Sequence, residues 1–168
     1  MYSLISVEKD GKIVNVDSQA PNHIASEALA AGKIAPIGIP DYFRREYNYK
    51  SSRLDFYYEK GHEKGLIEVK GVTLYKDKLA LFPDAPTLRG ARHMRELIKA
   101  KKEGFKSYAL FILQFKGADG FTTNSETDPD FALACAEAAS AGVNILAYDC
   151  NVTETNVTLD KRIEHIII

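Results

Sequence analysis

The spacing of hydrophobic and polar residues divides the chain into short strands and amphipathic helices. The clearest pattern lies in residues 52–57 and 66–71, where apolar side chains alternate with charged ones on either side of the glycine-bounded polar segment 60–65. Polar turns of this kind join antiparallel strands. The pattern therefore predicts a β-hairpin, and we expect the rest of the fold to be built around it.

Side-chain parity within this hairpin brings three charged residues to one face. Successive residues of a strand point to opposite faces of the sheet. The predicted inward positions are Leu54, Phe56, Ile67 and Val69. Asp55, Glu68 and Lys70 then share the opposite face and converge on one side of the twisted hairpin.

Two carboxylates and an ammonium on adjacent strands suit divalent-metal phosphodiester hydrolysis. Mg²⁺ binds through one or two carboxylates and keeps waters and phosphate oxygens as its other ligands. The metal activates a water, and Lys70 can position that water or neutralise developing negative charge. The spacing Asp-x(12)-Glu-x-Lys matches the signature of the PD-(D/E)xK nucleases. A surface hairpin with a cross-strand carboxylate and lysine pair has the same spacing and is the alternative.

A second hairpin and a helix are predicted upstream. Residues 2–7 and 12–16 are β-forming segments around an Asp-Gly turn, and an isolated two-stranded hairpin must pack against other structure. The Pro21-Asn22 pair opens the following helix, and Asn22 is its candidate N-cap. Its predicted core face consists of Ile24, Ala28 and Ala31, and Glu27 falls on that face. Glu27 can reach a metal site from there, or it can simply point into solvent.

The strongest local concentration of positive charge is predicted on a long helix downstream. Prolines and capping residues in segment 82–87 mark its start, and it runs to about Lys102. The apolar stripe consists of Leu88, Ala91, Met94, Leu97 and Ile98. Arg89, His93 and Arg95 lie among the basic residues and suit phosphate contacts, although a solvated polar face is the alternative.

The remaining segments predict an α/β chain. Residues 108–115 are almost continuously apolar, which indicates a strand covered on both faces. Further elements are a helix that begins at Asp128 and Pro129, a strand over 144–149 and a terminal strand over 163–168. Residues 72–81 are expected to be a strand end and a loop, and residues 116–127 a loop. Gln114 lies near the carboxyl end of the buried strand, where it either contributes to a site or satisfies neighbouring backbone.

Composition and charge restrict the function. The 168 residues, 45% apolar and 27% charged, are sufficient for one globular core, and the net charge of -1 provides no general attraction for nucleic acid. Nucleic-acid binding must therefore depend on a local basic patch. Cys135 and Cys150 lack the spacing of a zinc site and are expected to be buried thiols in a reducing compartment. Without a signal-peptide pattern or a long apolar segment, we expect a cytoplasmic protein.

Several longer motifs resemble the sugar fermentation stimulation protein A family. They are Ser52-Arg53-Leu54-Asp55-Phe56, Ile67-Glu68-Val69-Lys70-Gly71-Val72-Thr73-Leu74, Phe82-Pro83-Asp84-Ala85-Pro86-Thr87-Leu88-Arg89-Gly90 with His93 and Arg95-Glu96-Leu97, Asp128-Pro129 and Ile145-Leu146-Ala147-Tyr148. The resemblance implies a bacterial or archaeal cytoplasmic protein described as DNA-binding, with a nuclease-like domain after an OB-like N-terminal domain. Fewer strands precede the first helix here than in that family. We therefore expect an N-terminal hairpin at residues 1–18, as a remnant of a larger N-terminal region, and a nuclease-like domain at 19–168.

These observations combine into one set of expectations. The fold is α/β, with a mixed central sheet flanked by helices, a PD-(D/E)xK restriction-endonuclease-like core and an N-terminal β-hairpin remnant. Asp55 and Glu68 bind Mg²⁺ or Mn²⁺, Glu27 orients a metal-bound water and Lys70 assists the nucleophile. The residues expected to contact DNA phosphates are Arg53, Arg89, His93 and Arg95. The alternatives are a non-catalytic DNA-binding or regulatory module of sugar metabolism, and a hydrolase of a small phosphorylated compound.

Overall fold

The computed structural model describes residues 5–9, 11–153 and 155–168, and within them it contains three helices and twelve strands. The helices are α1 (Ala20–Ala30), α2 (Leu88–Lys102) and α3 (Pro129–Ser140). The strands are β1 (Ser6–Lys9), β2 (Lys12–Asn15), β3 (Tyr42–Tyr49), β4 (Ser52–Lys60), β5 (Glu63–Val72), β6 (Leu74–Lys76), β7 (Leu79–Phe82), β8 (Lys106–Leu113), β9 (Gly120–Thr123), β10 (Asn144–Val152), β11 (Val157–Arg162) and β12 (Ile166–Ile167). None of these helices is long and apolar enough to cross a membrane.

A mixed six-stranded sheet forms the centre of the fold. Its strand order in the described part of the chain is β11-β10-β8-β5-β4-β3. The three central strands β5, β8 and β10 are parallel, whereas β3, β4 and β11 pair antiparallel with their neighbours. Helix α2 lies between β5 and β8 in the chain, and α3 lies between β8 and β10. The predicted α/β class with a mixed central sheet is confirmed.

Helices cover both faces of this sheet, and each face has its own hydrophobic cluster. Helix α1 contributes Ile24 and Leu29 to one cluster, while α2 and α3 contribute Met94 and Phe131 to the other. Strand β8 supplies side chains to both clusters, and its residues from 107 to 113 are all buried. A strand that is covered on both faces has an almost continuously apolar sequence, and this confirms the prediction for residues 108–115.

Four short strands form a second sheet that the sequence analysis did not predict. Their order is β12-β9-β7-β6, and β6 and β7 form a hairpin within a segment that we expected to be a loop. Ala80 and Phe121 are fully buried in this sheet. Strands of two to four residues are too short for an alternating pattern to stand out.

The N-terminal hairpin packs against the rest of the protein through hydrogen bonds and apolar contact. Val14 lies in the α2-side cluster. The Asn15 backbone N–H donates to the Gln114 carbonyl oxygen at 2.9 Å, and Gln114 Nε2 donates back to the Asn15 carbonyl at 3.0 Å. Lys12 Nζ donates to the Lys116 carbonyl at 3.0 Å. The hairpin thus has the packing partner that it needs. Gln114 satisfies the backbone carbonyl of Asn15, which was one of its two expected roles.

The structure corrects four local predictions. Helix α1 begins at Ala20 after Gln19 rather than at an Asn22 N-cap, because Pro21 occupies the first turn and not the first position. Ala31 is exposed beyond the end of this helix. Leu88 is 86% exposed, because as the first residue of α2 it lies beyond the packed length of the helix. Leu54 and Phe56 lie in different clusters, since β4 is irregular between them.

Asp128 joins the starts of two helices and should be important for stability. As the predicted N-cap of α3 it accepts from the Phe131 amide at 2.9 Å, and it also accepts from the amide of Thr87, the N-cap of α2, at 2.7 Å. We expect Asp128→Ala to lower the free energy of unfolding by about 2 kcal/mol, because a buried amide and a partly buried one lose their acceptor.

Urea denaturation provides the measurement, with Asp130→Ala as the control. Asp130 lies in the same helix but is exposed, and its ion pair with Arg95 is a surface one that contributes about 0–1 kcal/mol. Equal effects of the two substitutions would contradict the assigned role of Asp128.

Candidate active site

The candidate site lies where β4 separates from β5, between the first turns of α1 and α2. Antiparallel pairing of these strands ends at Phe56 and Ile67. Two residues beyond Ile67, the Val69 N–H donates to Asp55 Oδ2 at 2.8 Å, so a side chain replaces the neighbouring backbone as its acceptor. Opposite Asp55 in β3, Glu46 has a left-handed backbone with φ of 56°. Residues other than glycine rarely adopt that conformation, and it accompanies the irregularity of β4.

The Asp55 carboxylate is partly buried and hydrogen-bonded through both oxygens. Asn22 Nδ2 of α1 donates to Oδ1 at 3.0 Å, in addition to the Val69 amide at Oδ2. Burial raises the pKa of Asp55, and the negative charge of Glu68 raises it further, while the two hydrogen bonds and the Lys70 ammonium oppose the shift. The site therefore holds two carboxylates whose charges repel one another.

Glu68 lies in the centre of the site and is almost completely buried. Its side chain is 3% exposed, and Lys70 Nζ donates to Oε1 at 2.6 Å. His93 Nδ1 of α2 hydrogen-bonds the same oxygen. Burial acts to raise the pKa of Glu68, but the hydrogen bond from His93 and the charge of Lys70 outweigh it, and the pKa is lowered. Glu68 therefore remains a carboxylate in the folded protein.

The second oxygen of Glu68 provides the clearest sign that the site can bind a ligand. Oε2 is buried and has no hydrogen-bond partner among the described residues, and the same holds for Asn22 Oδ1. A buried acceptor without a donor is costly, and such atoms are rare in folded proteins. Both atoms are oxygens, which are the ligands that hard divalent cations prefer.

Two neighbouring hollows adjoin Asn22, and Glu68 lies buried behind them. One has a volume of about 550 Å³ and contains Asp55 together with Arg45, Arg53 and Arg89. The other, of about 420 Å³, contains Val69 and Gln114 on its wall. Asn22 and Ser18 line both hollows, so the first turn of α1 lies between them. A carboxylate and three exposed arginines that line one hollow are an arrangement that suits a phosphate bridged to a cation.

The structure brings together five of the eight residues predicted for the site. Asp55, Glu68 and Lys70 meet where the strands separate, and Arg53 and Arg89 line the larger hollow. Arg53 also forms a surface ion pair with Glu46 at 3.7 Å.

The other three predicted residues lie elsewhere or contact different groups. Glu27 is exposed and borders a separate hollow with Lys33 and Thr158, because it points away from the packed face of α1. His93 is 1% exposed and is covered by the sheet, so it supports Glu68 and does not face a phosphate. Arg95 pairs with Asp130 of α3 at 2.5 Å. The predicted contacts of Glu27 with a metal-bound water, and of His93 and Arg95 with phosphates, therefore find no support in this geometry.

Two participants in the site, Asn22 and Arg45, were not predicted from the sequence, and a third, His93, was predicted in a different role. Asn22 was assigned to a helix cap, and it is instead the donor to Asp55. Arg45 was not singled out in the sequence, and only the pairing of β3 with β4 shows that it reaches the hollow. His93 was assigned to the surface, although its spacing from the buried Met94 and Leu97 placed it close to the core face of α2.

The donor set fits a cation that retains much of its water. The described residues contain no group of three or more His, Cys, Asp and Glu side chains close enough to enclose a metal ion. Two carboxylates and an amide oxygen remain, and Glu68 Oε2 and Asn22 Oδ1 are free to accept a ligand. Mg²⁺ commonly binds through one or two carboxylates with water and phosphate completing its shell.

Comparison with known proteins identifies the family. Residues 19–156 match the family model described as SfsA, "Sugar fermentation stimulation protein RE domain". The chain belongs to the sugar fermentation stimulation protein family. It is 44% identical over 163 residues to a homologue from Ruminiclostridium cellulolyticum, covering 97% of this chain and 71% of that protein. A homologue from Clostridium tetani is 43% identical over 169 residues, covering 99% of this chain and 73% of that protein.

A solved structure of a relative has the same fold. The structure of Pyrococcus furiosus SfsA in complex with Ca²⁺ superimposes with a TM-score of 0.88 and 25% sequence identity. The alignment covers 98% of this chain and 71% of that chain. The family resemblance seen in the sequence motifs is thus confirmed by both the family model and the fold.

Neutralising Asp55 should stabilise the folded protein. Because burial and Glu68 raise its pKa, the folded state binds more protons than the unfolded chain at pH values above the ordinary 3.8 and up to the raised value. Stability contributed by this group therefore falls as the pH rises through that window. We expect Asp55→Asn, which keeps an acceptor for the Val69 amide, to raise the free energy of unfolding at neutral pH by about 0.5–2 kcal/mol.

Denaturation curves at neutral pH and at pH values descending toward 3.8 test this expectation, because the gain should shrink as Asp55 becomes protonated. Glu46→Gln is the matched control, since Glu46 lines the same hollow with its side chain 68% exposed. A destabilised Asp55→Asn protein would contradict the argument.

Proposed function

We propose that this protein binds DNA and has a nuclease-like fold with a divalent-metal phosphodiesterase site at Asp55 and Glu68. The observation that carries the proposal is the separation of β4 from β5, which turns the Asp55 carboxylate onto the Val69 amide beside Glu68 and Lys70. Exposed arginines line the hollow in front of Asp55. The arginines can bind a phosphate, and the neighbouring carboxylates can bind a cation.

We also propose that residues 19–168 form a PD-(D/E)xK restriction-endonuclease-like core. Support comes from the order α1, β4, β5, α2, β8, α3, β10 and from the position of the Asp and the Glu-x-Lys sequence on adjoining strands. The hairpin within residues 1–18 is the proposed N-terminal unit. It contains β1 and β2, and Asn15 of β2 is bonded to Gln114.

The residues present fit a resident Mg²⁺ or Mn²⁺. Asp55 and Glu68 Oε2 would bind it, with Asn22 Oδ1 and the Val69 carbonyl as candidate further ligands. Ca²⁺ in the Pyrococcus furiosus structure supports the choice of a hard divalent cation, which prefers oxygen ligands. When bound, such an ion activates a water and neutralises charge on a phosphate.

The side chains of the site have distinct parts in this proposal. Lys70 places its ammonium at 2.6 Å from Glu68 Oε1, where it can orient a water or compensate negative charge on the substrate. His93 fixes Glu68 from the α2 side. Arg53 and Arg89 are exposed at the larger hollow and would bind phosphates of the DNA backbone. Because contacts with phosphates release counterions from the DNA, this binding should weaken as the salt concentration rises.

A cytoplasmic location is part of the proposal. Cys135 and Cys150 are buried free thiols, and burial raises the pKa of each to about 12. Thiols of this kind act as small apolar side chains and fit a reducing compartment.

A non-catalytic DNA-binding or regulatory module is the second candidate. It is favoured by the two protein donors on Glu68 Oε1, since Lys70 and His93 leave only one oxygen of this carboxylate for a cation. In that case the arginines of the larger hollow would bind DNA, and no metal would support its cleavage.

Cleavage assays on single-stranded, duplex and branched DNA with Mg²⁺ or Mn²⁺ distinguish these functions. We expect activity to fall by about 100-fold or more in Glu68→Gln and Lys70→Ala, because each removes a group that contacts the cation, the water or the developing charge. Circular dichroism checks that the variants remain folded.

Glu126→Ala and Lys76→Ala are the controls, since both residues are exposed and lie away from the site. Cleavage that survives Glu68→Gln and Lys70→Ala would reject the assigned roles. Salt-dependent binding without cleavage in either metal would instead favour the non-catalytic module.

A further inference from the structure

Leu88 is an exposed apolar residue held in a rigid position. Its side chain is 86% exposed, the largest exposure among the large hydrophobic residues of the described chain. It follows Thr87, whose hydroxyl accepts from the Gly90 amide at 3.0 Å and whose own amide donates to Asp128 at 2.7 Å. Two hydrogen bonds therefore fix the backbone on which Leu88 is presented to solvent.

Leu88 lies next to the candidate site along the chain. Arg89, the next residue, lines the larger hollow with Asp55, while Asp84 in the preceding loop lines the smaller hollow beside Val69. The segment from Asp84 to Arg89 thus borders both hollows, and Leu88 projects from it into solvent. Leu88 itself lines neither hollow, so the ligand that would meet it is one that extends from the hollows over this segment.

An aliphatic side chain beside a phosphate-binding arginine has a specific use in nucleic-acid recognition. Leu, Ile, Met and Phe act as wedges that enter between successive base pairs and unstack them, while neighbouring arginines bind the backbone. Proteins that bind single-stranded nucleic acid use aromatic side chains instead, because their rings stack on the bases. Here a leucine directly precedes Arg89 in α2, and Arg45 and Arg53 line the same hollow as Arg89.

We propose that Leu88 is a wedge that inserts into the base stack of duplex DNA while Arg89 binds the adjacent phosphate. This inference rests on the proposed DNA-binding function and adds a substrate class to it. The preferred substrate is duplex DNA with an already disrupted base step, such as a mismatch or an unpaired base at a branch. Opening an intact step costs free energy that a disrupted step has already lost.

Binding of labelled duplexes by the full chain provides the test, with Leu133→Ala as the matched control. Leu133 is also an exposed leucine in a helix, with 55% of its surface in solvent, and it lies on α3. We expect Leu88→Ala to weaken binding of an intact duplex about tenfold and of a mismatched duplex clearly less, because the wedge supplies apolar contact in place of lost stacking. Leu88→Met should retain most of the affinity.

A fluorescent base analogue placed in the duplex reports the wedge directly. Its emission should rise when the wild type and Leu133→Ala bind, and this rise should be lost in Leu88→Ala. If the wild type and Leu88→Ala bind alike and give the same emission, the wedge is rejected while DNA binding stands. If the wild type binds none of the duplexes, the proposed function fails and the wedge fails with it.

Discussion

The hydrogen bond from the Val69 amide to the Asp55 carboxylate is the interaction on which the arrangement of the site depends. Inside a sheet this amide would pair with a neighbouring strand, but β4 separates from β5 at this point and a side chain takes the place of the backbone. This hydrogen bond gives the Val69 amide an acceptor in place of the lost strand pairing. The same opening exposes Asp55 to a polar hollow and leaves Glu68 on the side covered by α2.

The opened sheet concentrates negative charge that the fold must counterbalance. Burial and Glu68 raise the pKa of Asp55, whereas His93 and Lys70 keep the pKa of Glu68 low despite its burial. The two carboxylates are therefore in different electrostatic environments although they are close in space. Groups arranged at a cost to stability are characteristic of functional sites. Asn22 completes this arrangement from α1 and carries an amide oxygen without a partner in the described chain.

Local sequence signals predicted the parts of the fold that have a regular period or a strong cap. The buried strand β8 and the Asp128 cap of α3 are examples, because a continuous apolar segment and an Asp-Pro pair each have one main structural meaning. The second sheet escaped prediction since its strands have two to four residues. Within the site, the spacing of Asp55, Glu68 and Lys70 was informative. The placement of Glu27 and His93 depended on which face of a helix is covered, and that is a tertiary property.

Anomalous diffraction from crystals containing Mn²⁺ tests most directly whether Asp55 and Glu68 form one cation site. The account predicts a single strong peak bonded to oxygens of both carboxylates, with Glu68 Oε2 as the newly occupied atom. It also predicts that the peak disappears in Asp55→Asn crystals. Mn²⁺ bound only at other positions, with Glu68 still engaged solely by Lys70 and His93, would contradict the account.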